Sequence, residues 1–166
     1  EINVKFLMFL ENFRYHGIIL SNDPCSGHWD SGVATFCNVF IDPDNPREIF
    51  LYYTGATDIN LSHSAIGLAV SSNGLNFRKI DENPIVEGAR RSFCSKTAST
   101  PAVTKVGNKY YMILSGQSSS WLPRPPMSMG IAWADDPKGP WKIIGEVIKP
   151  KEKWEGRGID NVNYRK

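Results

Sequence analysis

The feature of this sequence that most restricts its fold is an internal repeat with a period of 61 to 64 residues. Matching residue types recur at four pairs of positions: Phe13 with Phe77, Trp29 with Phe93, Gly55 with Gly116, and Gly67 with Gly130. Trp154 continues the series that Trp29 begins. Agreement of independent positions on one period predicts a supersecondary unit that buries its apolar surface against copies of itself.

Each repeat is predicted to contain four short β-strands. Segments rich in β-branched and aromatic residues end at Asp, Asn, Pro or Gly, and no window holds a helical period over three turns. The predicted strands are 33–41, 48–54, 65–71 and 77–86 in the first repeat, and 98–104, 109–115, 128–134 and 141–149 in the second. Four strands repeated around an axis form one blade of a β-propeller. The sequence therefore predicts an all-β fold, a β-propeller of four-stranded antiparallel blades.

The repeat also predicts how the chain is organised. We expect a single partial propeller domain over residues 1–166, in which 29–92 and 93–153 are two complete blades. Residues 1–28 are expected to hold the end of one blade and an entry loop, and 154–166 the start of the next. Because a closed propeller takes at least about four blades, we expect the chain to be part of a larger protein.

Composition excludes several classes of function. The chain has 19 Lys and Arg against 17 Asp and Glu and no basic run, so we expect no nucleic-acid partner. No apolar stretch approaches the roughly 18 residues of a membrane span, so we expect no membrane partner. The three cysteines lack metal-ligand spacing and are expected to be free thiols, with no metal site and no cofactor. Two properties stay open at this level: the compartment, which is extracellular or cytoplasmic, and the formation of a homo-oligomer.

Blade geometry predicts the face on which a site would lie. Because successive strands run in opposite directions, the links between strands 2 and 3 and between consecutive blades fall on one face. The links on the opposite face are tight turns of Asp, Asn, Pro and Gly. The links on the first face are longer and chemically varied, which is typical of loops that carry a site. They comprise residues 21–32, 56–64, 87–97, 117–127 and 150–159.

Three consecutive patterns resemble the repeat of glycoside hydrolases built on five-bladed propellers. They are Trp29-Asp30 before Val33, Tyr52-Tyr-Thr-Gly55, and the segment Ile66-Gly-Leu-Ala-Val-Ser-Ser-Asn-Gly-Leu-Asn-Phe-Arg-Lys79. This superfamily contains arabinanases, invertases and levansucrases, and the family-43-like glycosidases are the most similar. The resemblance covers residues 13–164. It implies five blades in the complete propeller and a carbohydrate substrate that paired carboxylates cleave.

The resemblance further implies catalytic acids at the starts of the innermost strands, often as Asp before Pro. Thr100 precedes Pro101 where such an acid is expected, and a hydroxyl does not act as a general acid at ordinary pH. Asp160 is in a suitable position and is the first catalytic candidate. Asp30 and Glu155, each directly after an entry Trp, are also candidates, although an entry carboxylate suits hydrogen bonding to backbone N–H groups of the turn.

Five side chains on the loop-rich face are candidates for substrate binding. Trp121 and Arg124 lie in a Pro-rich loop, where the indole suits stacking on a sugar ring or, equally, covering a neighbouring blade. His28 and His63 are candidates for contacts with sugar hydroxyls, with solvated loop histidines as the alternative. Arg157 suits an acidic substrate or is ordinary surface charge.

Three functions therefore stay open at the level of sequence. The leading hypothesis is a glycoside hydrolase that cleaves an oligo- or polysaccharide. A propeller that binds carbohydrate or protein without catalysis is favoured by the missing acid before Pro101. A glycoside phosphorylase would need a basic phosphate pocket, for which Arg90, Arg91 and Arg157 are the available side chains.

Overall fold

Two four-stranded antiparallel sheets make up most of the computed structural model, which describes residues 14–22, 24–118, 126–155 and 158. The first sheet has the order β1 (Val33–Asp42), β2 (Asn45–Ala56), β3 (Ala65–Ser71), β4 (Arg78–Lys79). The second has the order β5 (Thr97–Val106), β6 (Lys109–Gln117), β7 (Ser128–Ala134), β8 (Lys142–Ile148), and a 3₁₀ turn follows at Lys153–Glu155. The predicted all-β fold is confirmed, and we call these sheets the first and second blade.

One strand differs clearly from its prediction. β4 covers two residues instead of 77–86, because the Asn83 side chain replaces strand pairing: its amide donates to the carbonyl of Leu68 (2.9 Å) and accepts from the Leu68 N–H (2.7 Å). Pro84 follows and has no N–H to offer. Sheet-like contact resumes only at the isolated bridge between Ile66 and Val86.

The main apolar core lies between the two blades. It is built from alternate residues of adjacent strands, since neighbouring residues of a strand point to opposite faces. Phe40 meets the ring of Tyr110 edge-on at 6.0 Å, and Tyr52 meets that of Trp141 at 6.1 Å. Burying one large side chain contributes about 1.5–3 kcal/mol, so this shared core makes the two blades one packed unit.

A polar network centred on the buried Asp42 and Tyr110 joins the blades at the end opposite the long loops. The Lys105 ammonium lies 2.8 Å from the Asp42 carboxylate and 2.7 Å from that of Asp44, and the Tyr110 hydroxyl also donates to Asp42. Burial favours the protonated acid, but these hydrogen bonds outweigh it and hold the pKa of Asp42 below its usual value. The network stabilises the pairing of the blades while Asp42 is ionised.

The remaining sequence predictions on composition concern thiols and membranes. Cys25, Cys37 and Cys94 are all free thiols, as predicted, and only Cys94 is buried. No helix in the described ranges has the length and apolar character to cross a membrane.

Candidate functional site

Described residues of three of the long loops line a cleft of about 230 Å³ between the two blades, which we call the interblade cleft. The loops contribute residues at or beside their ends: Asn60, Leu61, Ser64, Thr97, Gln117 and Met127. The first strands of the blades contribute Phe36 from β1 and Ser99 from β5. The face that the sequence marked as loop-rich therefore carries a concave surface shared by both blades.

β-bulges shape the inner wall of the interblade cleft. The register of strand pairing shifts within 35–38 of β1 and within 99–102 of β5. In each bulge one non-glycine residue has a positive φ, 46° at Phe36 and 47° at Thr100. Bulges and left-handed non-glycine residues cost conformational energy and are concentrated near functional sites. The two residues are 64 positions apart, so the same distortion occurs at the same place in both blades.

The hydroxyl side chains at this wall differ in their partners. The N–H of Thr100 donates to Thr54 Oγ1 (2.9 Å), and its own hydroxyl donates to Ser115 Oγ (2.6 Å). Ser64 accepts from the backbone N–H of Ala98 through its carbonyl (2.9 Å), which ties the β2–β3 loop to the second blade. The Ser64 hydroxyl is buried and has no hydrogen-bond partner among the described residues.

Asp30 lies on the other face of the first blade and not in the interblade cleft. Tyr52 points towards the second blade, so the next residue, Tyr53, points away. The Tyr53 hydroxyl donates to Asp30 (2.9 Å), and Lys79 forms an ion pair with the same carboxylate oxygen (2.5 Å). Burial and the adjacent Asp30 raise the pKa of Tyr53 well above its usual value. The structure thus holds Asp30 through two side chains, whereas the structural alternative considered from the sequence was bonding to backbone N–H groups of the turn.

The two histidine candidates are in different places. His28 lines a hollow of about 550 Å³ together with Trp29, Asp30 and Lys79. His63 is exposed beside Ser64 and lines neither this hollow nor the interblade cleft. The structure therefore brings His28 together with Asp30 and leaves His63 apart from them.

Glu155 closes the 3₁₀ turn that follows the second blade. Its carboxylate accepts hydrogen bonds from the backbone N–H groups of Glu152 (2.6 Å) and Lys151 (2.5 Å). These bonds hold the pKa of Glu155 below its usual value. They match the turn-binding alternative considered from the sequence. The neighbouring Trp154 is 82% exposed, whereas Trp29 packs over Gly55 and stacks on Tyr53.

Four of the predicted site residues, Asp160, Trp121, Arg124 and Arg157, lie outside the described residues. Their assignments stay predictions. Within the described ranges, no group of three His, Cys, Asp or Glu side chains is placed to hold a metal ion.

Sequence reasoning missed the side chains that line the interblade cleft. It searched the first strands for carboxylates and therefore passed over Phe36 and Ser99. The repeat contained a signal for these residues. Phe36 and Thr100 occupy equivalent positions of the two first strands, and these are the strands in which the resemblance implies site residues. Ser64 gave no signal, since its burial depends on how the β2–β3 loop contacts the second blade.

Comparison with known sequences gives one partial match. No family model matches the chain. A β-1,2-mannobiose phosphorylase from Thermoanaerobacter sp. (strain X514) is 35% identical over 80 residues, which is 48% of this chain and 24% of the phosphorylase. The match thus spans about a quarter of that relative.

Comparison with solved structures identifies the fold. A thermostable family-43 glycoside hydrolase matches over 75% of this chain and 41% of its own, with TM-score 0.57 and 25% identity. A glycosyl hydrolase from Bacteroides ovatus matches over 81% and 40%, with TM-score 0.63 and 15% identity. A family 117 glycoside hydrolase from the marine bacterium Zobellia galactanivorans matches over 68% and 38%, with TM-score 0.54 and 16% identity.

These neighbours define the class of the fold. The chain is a partial β-propeller of the type found in the glycoside hydrolase superfamily that the sequence patterns resemble. It spans about two fifths of the length of the solved hydrolases.

Proposed function

We propose that the protein is a glycoside hydrolase that cleaves glycosidic bonds in an oligo- or polysaccharide. The observation that supports this most directly is the interblade cleft, where the distorted first strands of both blades meet three long loops. A rigid sheet scaffold with a concave, loop-lined end is a typical setting for a binding or catalytic site. The chain shares its fold with known glycoside hydrolases, and this similarity supports a carbohydrate as the ligand of the cleft.

Asp160 is proposed as the carboxylate that serves as catalytic acid. Glycoside cleavage needs a proton donor for the leaving oxygen and a second carboxylate that acts on water or on the anomeric carbon. Gly158 forms a parallel bridge with Met127, which lines the interblade cleft. This contact supports the proposal, since Asp160 follows Gly158 by two residues.

Asp30 and Glu155 remain candidates for the second carboxylate, but their contacts favour structural roles. Asp30 is held by Tyr53 and Lys79 on a blade face away from the interblade cleft. The lowered pKa of Glu155 keeps it ionised, as a second carboxylate requires, but one of its oxygens already accepts two backbone hydrogen bonds and the residue does not line the interblade cleft.

The five proposed substrate-binding side chains fall into two groups. Trp121 and Arg124 precede Met127 on the β6–β7 link, and the residues at the two ends of this link, Gln117 and Met127, line the interblade cleft. We propose Trp121 and Arg124 as the sugar contacts. His28, His63 and Arg157 are secondary candidates. His28 lines the hollow beside Asp30, and the exposed His63 lines neither that hollow nor the interblade cleft.

A glycoside phosphorylase is the second candidate function. It is favoured by the 35% identity to the β-1,2-mannobiose phosphorylase over 80 residues. Such an enzyme uses inorganic phosphate in place of water and therefore needs cationic side chains at its site. The described lining of the interblade cleft has none, and Arg90 and Arg91 are exposed on the β4–β5 link.

The test is an activity panel on the full chain. Aryl arabinosides, xylosides and β-fructosides, together with β-1,2-mannobiose, are incubated with and without inorganic phosphate. We expect phosphate-independent hydrolysis of at least one substrate. Asp160→Asn is expected to lower kcat by about 100-fold or more, since it removes a proton donor. Glu146→Gln, an exposed carboxylate on β8, is the matched control and should leave kcat unchanged.

The other outcomes each select a rival. Phosphate-dependent release of a sugar 1-phosphate identifies the phosphorylase. Sugar binding without turnover identifies a non-catalytic propeller. Unchanged activity of Asp160→Asn in an active parent removes Asp160 from the catalytic set.

A further inference from the structure

The wall of the interblade cleft contains a buried hydroxyl that bonds to no other group in the described part of the chain. Ser64 is 3% exposed and lines the cleft, and its Oγ has no hydrogen-bond partner among the described residues. Most buried polar groups in proteins are paired, because leaving one unpaired costs free energy. The cost is recovered if a ligand in the cleft supplies the partner.

Backbone strain is concentrated at the same place. Four non-glycine residues in the described part of the chain have a positive φ. Phe36 and Leu61 line the interblade cleft, and Thr100 follows Ser99 of its lining. Strained residues persist where the surrounding structure holds them, and they cluster at ligand sites. The clustering of positive φ values is an observation independent of the Ser64 hydroxyl, and it indicates the same cleft as a ligand site.

The chemistry of the lining selects the ligand class. Thr97, Ser99 and Gln117 present neutral hydroxyl and amide groups, and Phe36 presents a ring that is 43% exposed. No charged side chain lines the cleft among the described residues. A sugar ring has a rim of hydroxyls and an apolar face, which match hydroxyl and amide groups and an aromatic ring respectively.

We propose that the interblade cleft is a subsite for one uncharged sugar unit and that Ser64 Oγ hydrogen bonds to a hydroxyl of that unit. The proposal rests on the carbohydrate function proposed above and narrows it, because the bound unit carries neither a carboxylate nor a phosphate. The volume of about 230 Å³ is below the roughly 300–1,000 Å³ of sites for drug-sized ligands, so it suits a single ring.

The experiment measures sugar affinity and thermal stability of the full chain side by side. Xylose, arabinose, mannose and fructose serve as neutral probes, and glucuronate and mannose 6-phosphate as charged ones, in calorimetric titrations. Ser64→Ala is expected to weaken binding of the best neutral sugar by about 5- to 10-fold, the effect of one hydrogen bond. Its Tm should be equal to or above that of the parent, because the variant removes an unpaired hydroxyl.

Two further variants sharpen the result. Ser72→Ala makes the same chemical change at an exposed position outside the cleft lining and should alter neither affinity nor Tm. Phe36→Gly relieves the positive φ and removes the ring, so affinity should fall while Tm is retained. A purely structural role of Ser64 would instead lower Tm and leave the affinity of the folded protein unchanged.

The outcomes separate this proposal from hydrolysis itself. Equal sugar affinity in the parent and Ser64→Ala, preference for a charged sugar, or absence of binding by all probes would overturn the subsite. If turnover is lost in Asp160→Asn but sugar affinity is unchanged in Ser64→Ala, the hydrolase function is supported and the subsite is rejected. Binding sensitive to Ser64 in a protein without turnover keeps the subsite and rejects the hydrolase.

Discussion

The two blades share a strand order but differ in the chemistry of one face. Three equivalent positions are polar and paired in the first blade and apolar in the second: Asp30, Tyr53 and Lys79 against Cys94, Leu114 and Ile143. Strand register establishes two of these equivalences. Tyr53 and Leu114 each face a glycine of the next strand, and Lys79 and Ile143 each face an alanine.

The reason for the difference is what packs on each face. Cys94 and Leu114 are fully buried in the core between the blades, and Ile143 packs against it. The equivalent face of the first blade does not meet the second blade, and there Lys79 keeps 31% of its side chain in contact with solvent while pairing with Asp30. One backbone arrangement thus supports either a dry interface or a paired charge, and the neighbouring surface decides which is stable.

Exchanging the two chemistries should give the largest effect. Cys94→Asp places a carboxylate in the dry interface without a lysine partner, because position 143 is Ile. We expect a loss of about 4 kcal/mol in the free energy of unfolding, measured by urea denaturation. Cys37→Asp, the same change at an exposed cysteine, should cost less than about 0.5 kcal/mol. A loss below about 1 kcal/mol in Cys94→Asp would show that the interface admits water.

A smaller effect is expected from weakening the polar group itself. Asp30→Asn keeps the shape of the side chain but removes the charge opposite Lys79, so we expect a loss of about 2 kcal/mol in unfolding free energy. Activity per folded molecule should be retained if the role of Asp30 is structural. A double-mutant cycle with Lys79→Met should give a coupling of about 1 kcal/mol. Loss of activity at unchanged stability would instead make Asp30 catalytic.

The sequence predicts those parts of this comparison that depend on local chemistry. Strand period and turn residues lie close together in the chain, so seven of the eight strands agree with prediction to within a few residues. The partners of Asp30 are 23 and 49 residues away, and nothing local specifies them. β4 is shortened by Asn83, whose amide bonds to Leu68 across a loop.

The interblade cleft shows the same limit. The bulges recur in the repeat, but the closure of the β2–β3 loop over the second blade depends on how the sheets pack. That packing is also what buries the Ser64 hydroxyl away from any partner in the described ranges. Residue types therefore predicted which face carries the long loops. The residues that line the cleft were identified only from the three-dimensional structure.

The link between the blades offers a third test, through pH. Because Asp42 has a lowered pKa in the folded protein, its contribution is fully present above the unfolded pKa of about 3.8 and is lost as pH falls below it. Asp42→Asn should reduce the unfolding free energy by about 1.5 kcal/mol at pH 7. The difference from the parent should shrink towards pH 3, as followed by urea unfolding at a series of pH values. A difference that does not change with pH would exclude the ionised carboxylate as its source.

The paired bulges have a consequence for how new chemistry could arise on this scaffold. Asp and Asn tolerate a positive φ better than most side chains, and Thr100 occupies such a position directly before Pro101. An Asp there would fit the positive φ better than Thr, and its carboxyl would replace a buried hydroxyl, directly after Ser99 of the cleft wall, that now donates to Ser115 Oγ. The backbone of the bulge thus favours an acid at a position where burial disfavours its charge, so the pKa of the introduced carboxyl would be raised, as a proton donor for glycoside cleavage requires.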